Sequence, residues 1–122
     1  MLRTILVEDS TVVRERLVEL VQKIDGVEVV GEYENADGAI EGIRADKPHV
    51  VLLDIKLRGS SGLEVMKAIN QDRIDTKVIV LTNYAEPQYQ KLFLAQGALA
   101  VLDKSKEFNL IEGLLLSFLA EL

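Results

Sequence analysis

Five residues combine types that could do chemistry together: Glu8, Asp9, Asp54, Thr82 and Lys104. Each ends or closely follows a short apolar run; Asp54, for example, closes "HVVLLD" (49–54) just before a glycine-serine loop. A carboxylate at the end of a buried strand is costly unless something stabilises it. Two unit charges about 4 Å apart repel by roughly 4 kcal/mol at an effective dielectric near 20. A single lysine therefore offsets only part of the repulsion among three gathered carboxylates. Three negatives against Mg²⁺ and one Lys⁺ sum to zero, and all-oxygen ligands suit that hard cation. A metal, a carboxylate nucleophile, a hydroxyl and an ammonium are the parts needed to accept a phosphoryl group, with Asp54 attacking in line.

The elements around these residues predict that they meet. Five apolar runs, at 2–7, 27–33, 49–54, 77–82 and 98–102, read as strands, three of them dense in Val, Ile and Leu without alternation. That pattern suits strands covered on both faces. Segments of helical spacing lie between them. Ser10 is placed to cap a helix with Val13, Leu17, Leu20 and Ile24 on one stripe, closed by Asp25-Gly26. A second helix spans 36–46, and Ser61-Gly62-Leu63-Glu64 is a capping-box pattern opening a third. Pro87 suits the first turn of a fourth and Gly97 its end, and Ser105 is expected to cap the last. Strand–helix alternation predicts a parallel sheet with helices on both faces, and right-handed crossovers bring every strand's C-terminal end to one edge. Ligands bind at that edge, where strand order reverses.

Bulk composition narrows the class. The chain has 122 residues, 48% of them hydrophobic, which fits one compact domain. Twenty acidic against 14 basic residues give a net charge of −6, which argues against direct nucleic-acid binding. There are no cysteines, so disulfides and thiolate metal sites are excluded. The apolar stretch near the N-terminus is too short for a signal peptide and no run reaches membrane-span length, so a cytoplasmic, membrane-free domain is expected.

With these residues in place, the chain resembles the receiver domain of bacterial response regulators, the phosphorylated half of two-component signalling. The resemblance rests on "ILVEDS" (5–10), "VVLLDIKLRGSSGLEV" (50–65), "VIVLTNY" (78–84) and "GALAVLDKS" (97–105), four motifs in order across essentially the whole chain. It implies a single receiver domain over 1–122, with a flavodoxin-like, doubly wound five-stranded parallel sheet of order 2-1-3-4-5. It also implies that Asp54 is the phosphoacceptor, served by a histidine kinase or phosphotransfer protein. Asp9 would ligate Mg²⁺ directly and Glu8 mostly through water, with Asp54 and the backbone carbonyl of Lys56 completing the protein ligands. Thr82 would move toward the phosphate and Lys104 pair with it. The new charge would then change the face built from the fourth helix, fifth strand and fifth helix, regulating a partner or self-association. No enzymatic activity is implied beyond the domain's own phosphotransfer and dephosphorylation.

The sequence departs from the family pattern at several positions. Val101 stands where Tyr or Phe usually partners the Thr, and Tyr84 is the candidate to replace it as an aromatic reporter. Asn83 follows Thr82 where a small residue is usual, Arg58 stands where Pro is common, and Ser105 follows Lys104 where Pro is common. Lys56 and Tyr84 are expected to flank the phosphate and slow its hydrolysis by obstructing in-line water.

Other readings compete. Asp54 alone could be a turn aspartate, Glu8-Asp9 a solvated turn favourable to the helix dipole, and Lys56 and Arg58 plain surface charges. His49 reads as a strand-start residue. In the last helix Leu110, Ile111, Leu114, Leu115, Phe118, Leu119 and Leu122 cover about half the circumference, with Leu116 beyond, where a surface helix needs roughly a 100° stripe. Either a contact surface or deep packing accounts for the surplus. The main functional alternative is a pseudo-receiver that acts as a phosphorylation-independent interaction module. An aspartate-nucleophile phosphatase of the haloacid-dehalogenase type would need a second Asp where Lys56 stands. A flavodoxin's phosphate loop would be repelled by Glu8-Asp9. A stand-alone receiver is expected slightly over an excised one.

Overall fold

The computed structural model describes residues 1–83 and 86–122, and the elements and absences given are those among these described residues. Strand β1 (Leu2–Val7) leads to helix α1 (Thr11–Gln22), where the Ser10 hydroxyl accepts the Val13 N–H at 3.3 Å. Then follow β2 (Val27–Tyr33) and α2 (Ala36–Asp46), whose first turn is capped by the Asn35 side chain accepting the Gly38 N–H. Strand β3 (Val50–Asp54) is buried along its full length. A short antiparallel hairpin, β4 (Lys56–Leu57) with β5 (Ser60–Ser61), fills the loop after it. Helix α3 (Gly62–Gln71) starts where Ser61 Oγ accepts the Leu63 N–H at 3.1 Å. The chain finishes with β6 (Lys77–Thr82), α4 (Pro87–Ala95), β7 (Ala100–Asp103) and α5 (Leu110–Ala120).

The sheet order is β2-β1-β3-β6-β7, with every pairing parallel. Because β6 and β7 are the sheet's fourth and fifth strands, this is the expected 2-1-3-4-5 arrangement. Alternating side chains feed two cores. Val51 and Leu53 point toward α2, α3 and α4, meeting Ala39, Ile43, Met66 and Phe93, while Val50 and Leu52 point toward α1 and α5, meeting Leu17, Val21, Leu115 and Phe118. Burial on both faces is why the strands need unbroken apolar runs.

Boundaries differ from expectation at several points, and α1 ends at Gln22, before the expected Ile24. The fifth sheet strand starts at Ala100 instead of 98, because the Ala98 N–H donates to the Phe93 carbonyl and so belongs to the turn closing α4. Ser105 does not cap the last helix, which starts at Leu110. The Asp103 carboxylate captures the N–H groups of Ser105 (2.8 Å) and Lys106 (3.0 Å) and the Ser105 hydroxyl (2.7 Å), folding residues 103–106 into a turn that competes with helix. His49 immediately precedes β3, where its N–H donates to the Arg3 carbonyl and its Nδ1 accepts the Arg3 N–H. The described peptide bonds are all trans, including Lys104–Ser105. In the last helix Ile111, Leu115 and Phe118 are buried, whereas Leu110 and Leu116, and Leu122 beyond its end, are exposed.

Candidate functional site

The C-terminal ends of β1, β3, β6 and β7 open into one cleft of about 250 Å³, at the point where strand order reverses between β1 and β3. Glu8 and Asp9 follow β1, Asp54 ends β3, Thr82 ends β6 and Lys104 follows β7, and all five line this cleft together with Lys56 and Asn83. Sheet register explains the convergence. Asp54 lies opposite Leu81 and Thr82 opposite Asp103, so Lys104 emerges one residue beyond the same rim. The Lys104 N–H donates to the Thr82 carbonyl at 2.9 Å, which ties the two loops together.

Charge organises the interior of the cleft. Glu8 is almost wholly buried and Asp54 nearly so. The Lys104 ammonium bridges them, contacting Glu8 Oε1 directly and lying 3.0 Å from Asp54 Oδ2. Burial by itself would lower the pKa of this lysine, but its bonds and charge attraction to Glu8 and Asp54 outweigh that and hold it above its ordinary value. Asp9 is raised, first by burial and then by its hydrogen bond to Glu8 and the Glu8 charge. Ionising Asp9 is therefore disfavoured without a further cation. Glu8 is held in place from its own loop and from β2, since the Ser10 N–H donates to Glu8 Oε2 at 3.1 Å and the Glu8 N–H donates to the Tyr33 carbonyl at 2.9 Å.

The donor set fits a hard divalent cation. Glu8, Asp9 and Asp54 each offer a carboxylate oxygen, and these oxygens lie within 4.8 Å of one another. Oxygen-only donors at that spacing match Mg²⁺ better than a metal preferring nitrogen or sulfur.

Not every expected residue joins the cleft. Val101 is half-buried and packs against the core beneath α2–α4, two residues before the last position of β7. Tyr84 lies outside the described residues. Arg58 extends from the β4–β5 hairpin to Glu34, Nη1 to Oε2 at 3.3 Å. Sequence reasoning missed Arg14, whose Nη1 donates to the Glu8 carbonyl at 2.8 Å. Its one sequence signal is position, four residues after the N-cap Ser10 and hence in the turn of α1 nearest the acidic loop. The Asp103 turn was missed as well, although an Asp followed two residues later by Ser is a recognisable Asx-type signal.

The fold and the site define a doubly wound α/β domain with an acidic, lysine-bridged pocket at its topological switch point. The family model for the response regulator receiver domain matches residues 4–115, and the chain belongs to that family, through which two-component systems signal. Response regulator GacA of Pseudomonas protegens is 33% identical over 109 residues, which cover 89% of this chain and 51% of GacA. Response regulator UvrY of Escherichia coli O157:H7 is 33% identical over 104 residues, covering 85% of this chain and 48% of UvrY. The chain thus spans about half the length of the curated relatives it matches. Among solved structures, the signal receiver domain assigned to NarL of Mycobacterium tuberculosis matches with a TM-score of 0.89 at 29% identity, covering 98% of this chain and 96% of that one. A DNA-binding response regulator of the LuxR family from Staphylococcus aureus matches with a TM-score of 0.89 at 25% identity, covering 98% and 99%. Among the described residues no helix is long and apolar enough to cross a membrane.

Proposed function

We propose that this receiver domain is a switch in which Asp54 accepts a phosphoryl group from a phosphohistidine on a histidine kinase or phosphotransfer protein. The observation that carries this reading is the acidic cluster itself: three carboxylate oxygens lie within 4.8 Å of one another, and Lys104 pairs with two of the carboxylates, those of Glu8 and Asp54. Glu8, Asp9, Asp54 and the Lys56 carbonyl are the groups that would hold Mg²⁺, which when bound neutralises charge on the phosphoryl oxygens. An Asp54 oxygen forms the new O–P bond as the P–N bond to the donor imidazole breaks, leaving an acyl phosphate and a free histidine. Lys104 then exchanges a carboxylate oxygen for a phosphoryl oxygen, and the Thr82 hydroxyl supplies a donor from the adjoining strand end.

The output runs through α4, β7 and α5. Both Thr82 and Lys104 are attached to this side of the sheet, and their backbones are bonded to each other. A charge near −2 on Asp54 that draws the two inward shifts the loops leading into α4 and α5. Exposed Leu92, Leu94, Leu99 and Leu110 give that side apolar surface for a partner or a second copy. The domain needs no catalytic role beyond its own phosphotransfer, and a cytoplasmic setting suits such donors.

Incubation with Mg²⁺ and acetyl phosphate, followed by intact mass, tests the reading. One phosphoryl adduct is expected on the wild type and none on Asp54→Asn. An unmodified wild type that still binds its partner would favour the phosphorylation-independent module instead. Sedimentation with and without beryllofluoride tests the output face, with a change in association expected on addition.

A further inference from the structure

We infer that Arg14 is a positioning residue for the cation site, joining the two loops that carry the proposed ligands; this rests on the Mg²⁺ reading of the cleft. Its side chain is only 15% exposed, so it is not a freely rotating surface charge. Nη1 donates to the Glu8 carbonyl at 2.8 Å, the oxygen of the peptide that links Glu8 to Asp9. The orientation of that peptide determines where the Asp9 side chain leaves the backbone.

The other edges of the guanidinium face acids on the end of β2. Nε lies 3.4 Å from Glu32 Oε1 and Nη2 lies 3.3 Å from Glu34 Oε1. Glu34 passes the connection on: its Oε2 takes Arg58 at 3.3 Å, and its carbonyl accepts the Arg58 N–H at 3.1 Å. Arg58 belongs to the loop between β4 and β5, the hairpin that presents Lys56 beside Asp54. Arg14 thus reaches Glu8–Asp9 directly and the loop after Asp54 through Glu34. The two glutamates also neutralise the guanidinium, so it can orient the acidic loop without adding net positive charge that would repel a metal. A planar fork with donors on several edges suits this task, and lysine has no equivalent geometry.

Calorimetric titration of Mg²⁺ into the full chain tests the assignment, with thermal melts in chelator as the stability control. Arg14→Gln is expected to weaken Mg²⁺ binding by roughly 10- to 100-fold, the range for groups that orient metal ligands. Arg14→Lys should recover part of the loss. Glu34→Gln, which keeps the Glu8 contact but loosens the hairpin, should weaken binding by a smaller factor. A purely structural role would lower the melting temperature and leave the Mg²⁺ Kd unmoved, so a folded Arg14→Gln with wild-type Kd overturns the inference. Should Arg14→Gln fail to fold, an unchanged Kd in Glu34→Gln overturns it. A wild type that takes up no Mg²⁺ defeats the functional reading and this one together, whereas normal uptake in the wild type and in both variants defeats this one alone.

Discussion

Lys104 Nζ lies 3.0 Å from Asp54 Oδ2 while also holding the buried Glu8, so one ammonium serves both the proposed phosphoacceptor and its acidic neighbour. Lys104→Ala leaves Glu8 buried against Asp54 without a counter-charge. Bonds to charged groups typically contribute about 1.5–3 kcal/mol, so a loss of roughly 2 kcal/mol is expected in chelator. Mg²⁺ should recover part of it. Chemical denaturation with and without Mg²⁺ measures both quantities, and identical curves for wild type and variant would refute the pairing.

Asp9 leads to the opposite sign. Its raised pKa means that ionising it costs the native state stability at neutral pH, chiefly through burial and the adjoining Glu8. Asp9→Asn should therefore melt at a higher temperature than the wild type when Mg²⁺ is absent. The same variant should lose the gain that Mg²⁺ confers on the wild type. A variant no more stable than wild type in chelator would show that crowding of these acids is harmless.

Lys56 lines the cleft beside Asp54 with its side chain exposed. On the proposed function, a long cation there would obstruct water approaching in line with a phosphoryl group on Asp54. Lys56→Asn should shorten the lifetime of the aspartyl phosphate, as should Tyr84→Ala. Decay of the phosphorylated form after donor removal is the measurement, and unchanged lifetimes in both variants would dismiss steric protection.

The Asp103 turn makes a pH prediction. Its carboxylate is held below its ordinary value of 3.8, first by the Ser105 hydroxyl and then by the Lys106 and Ser105 N–H groups. A depressed folded pKa contributes stability above the unfolded value, and that stability disappears as pH falls through the folded one. Asp103→Ala should melt below the wild type near neutrality. The gap should close under strongly acidic conditions, and a gap independent of pH would argue against a carboxylate origin.

Gly62 is required for steric reasons. A Cβ placed there would sit 2.4 Å from the backbone carbonyl oxygen of Asp54, and backbone cannot rotate away as a side chain can. Gly62→Ala must push the end of β3 or the start of α3, at a cost of about 1–3 kcal/mol by analogy with overpacked cores. Because the displaced carbonyl belongs to Asp54, the proposed phosphoacceptor, phosphorylation by acetyl phosphate should slow along with the loss of stability. A variant as stable and reactive as wild type would show that the helix start yields freely.

Much of this was legible in the residues alone because its causes are local or periodic. Strands covered on both faces require unbroken apolar runs, so β1, β3 and β6 announced themselves. Ser10 and Ser61 marked helix starts through the side-chain oxygens that satisfy first-turn N–H groups. Alternation of strand and helix then carried Glu8, Asp9, Asp54, Thr82 and Lys104 to one edge, since parallel crossovers permit no other placement of strand ends. Tertiary structure alone decided which acids Lys104 holds, that Val101 faces the core instead of the cleft, and that Arg14 reaches Glu8 and Glu34. The same was true of the start of α5, which lies at Leu110, beyond the turn that the Asp103 carboxylate closes with the Ser105 and Lys106 N–H groups. Such contacts depend on distances between loops from separate strands, and a one-dimensional pattern of residue types carries no information about those distances until the sheet sets them.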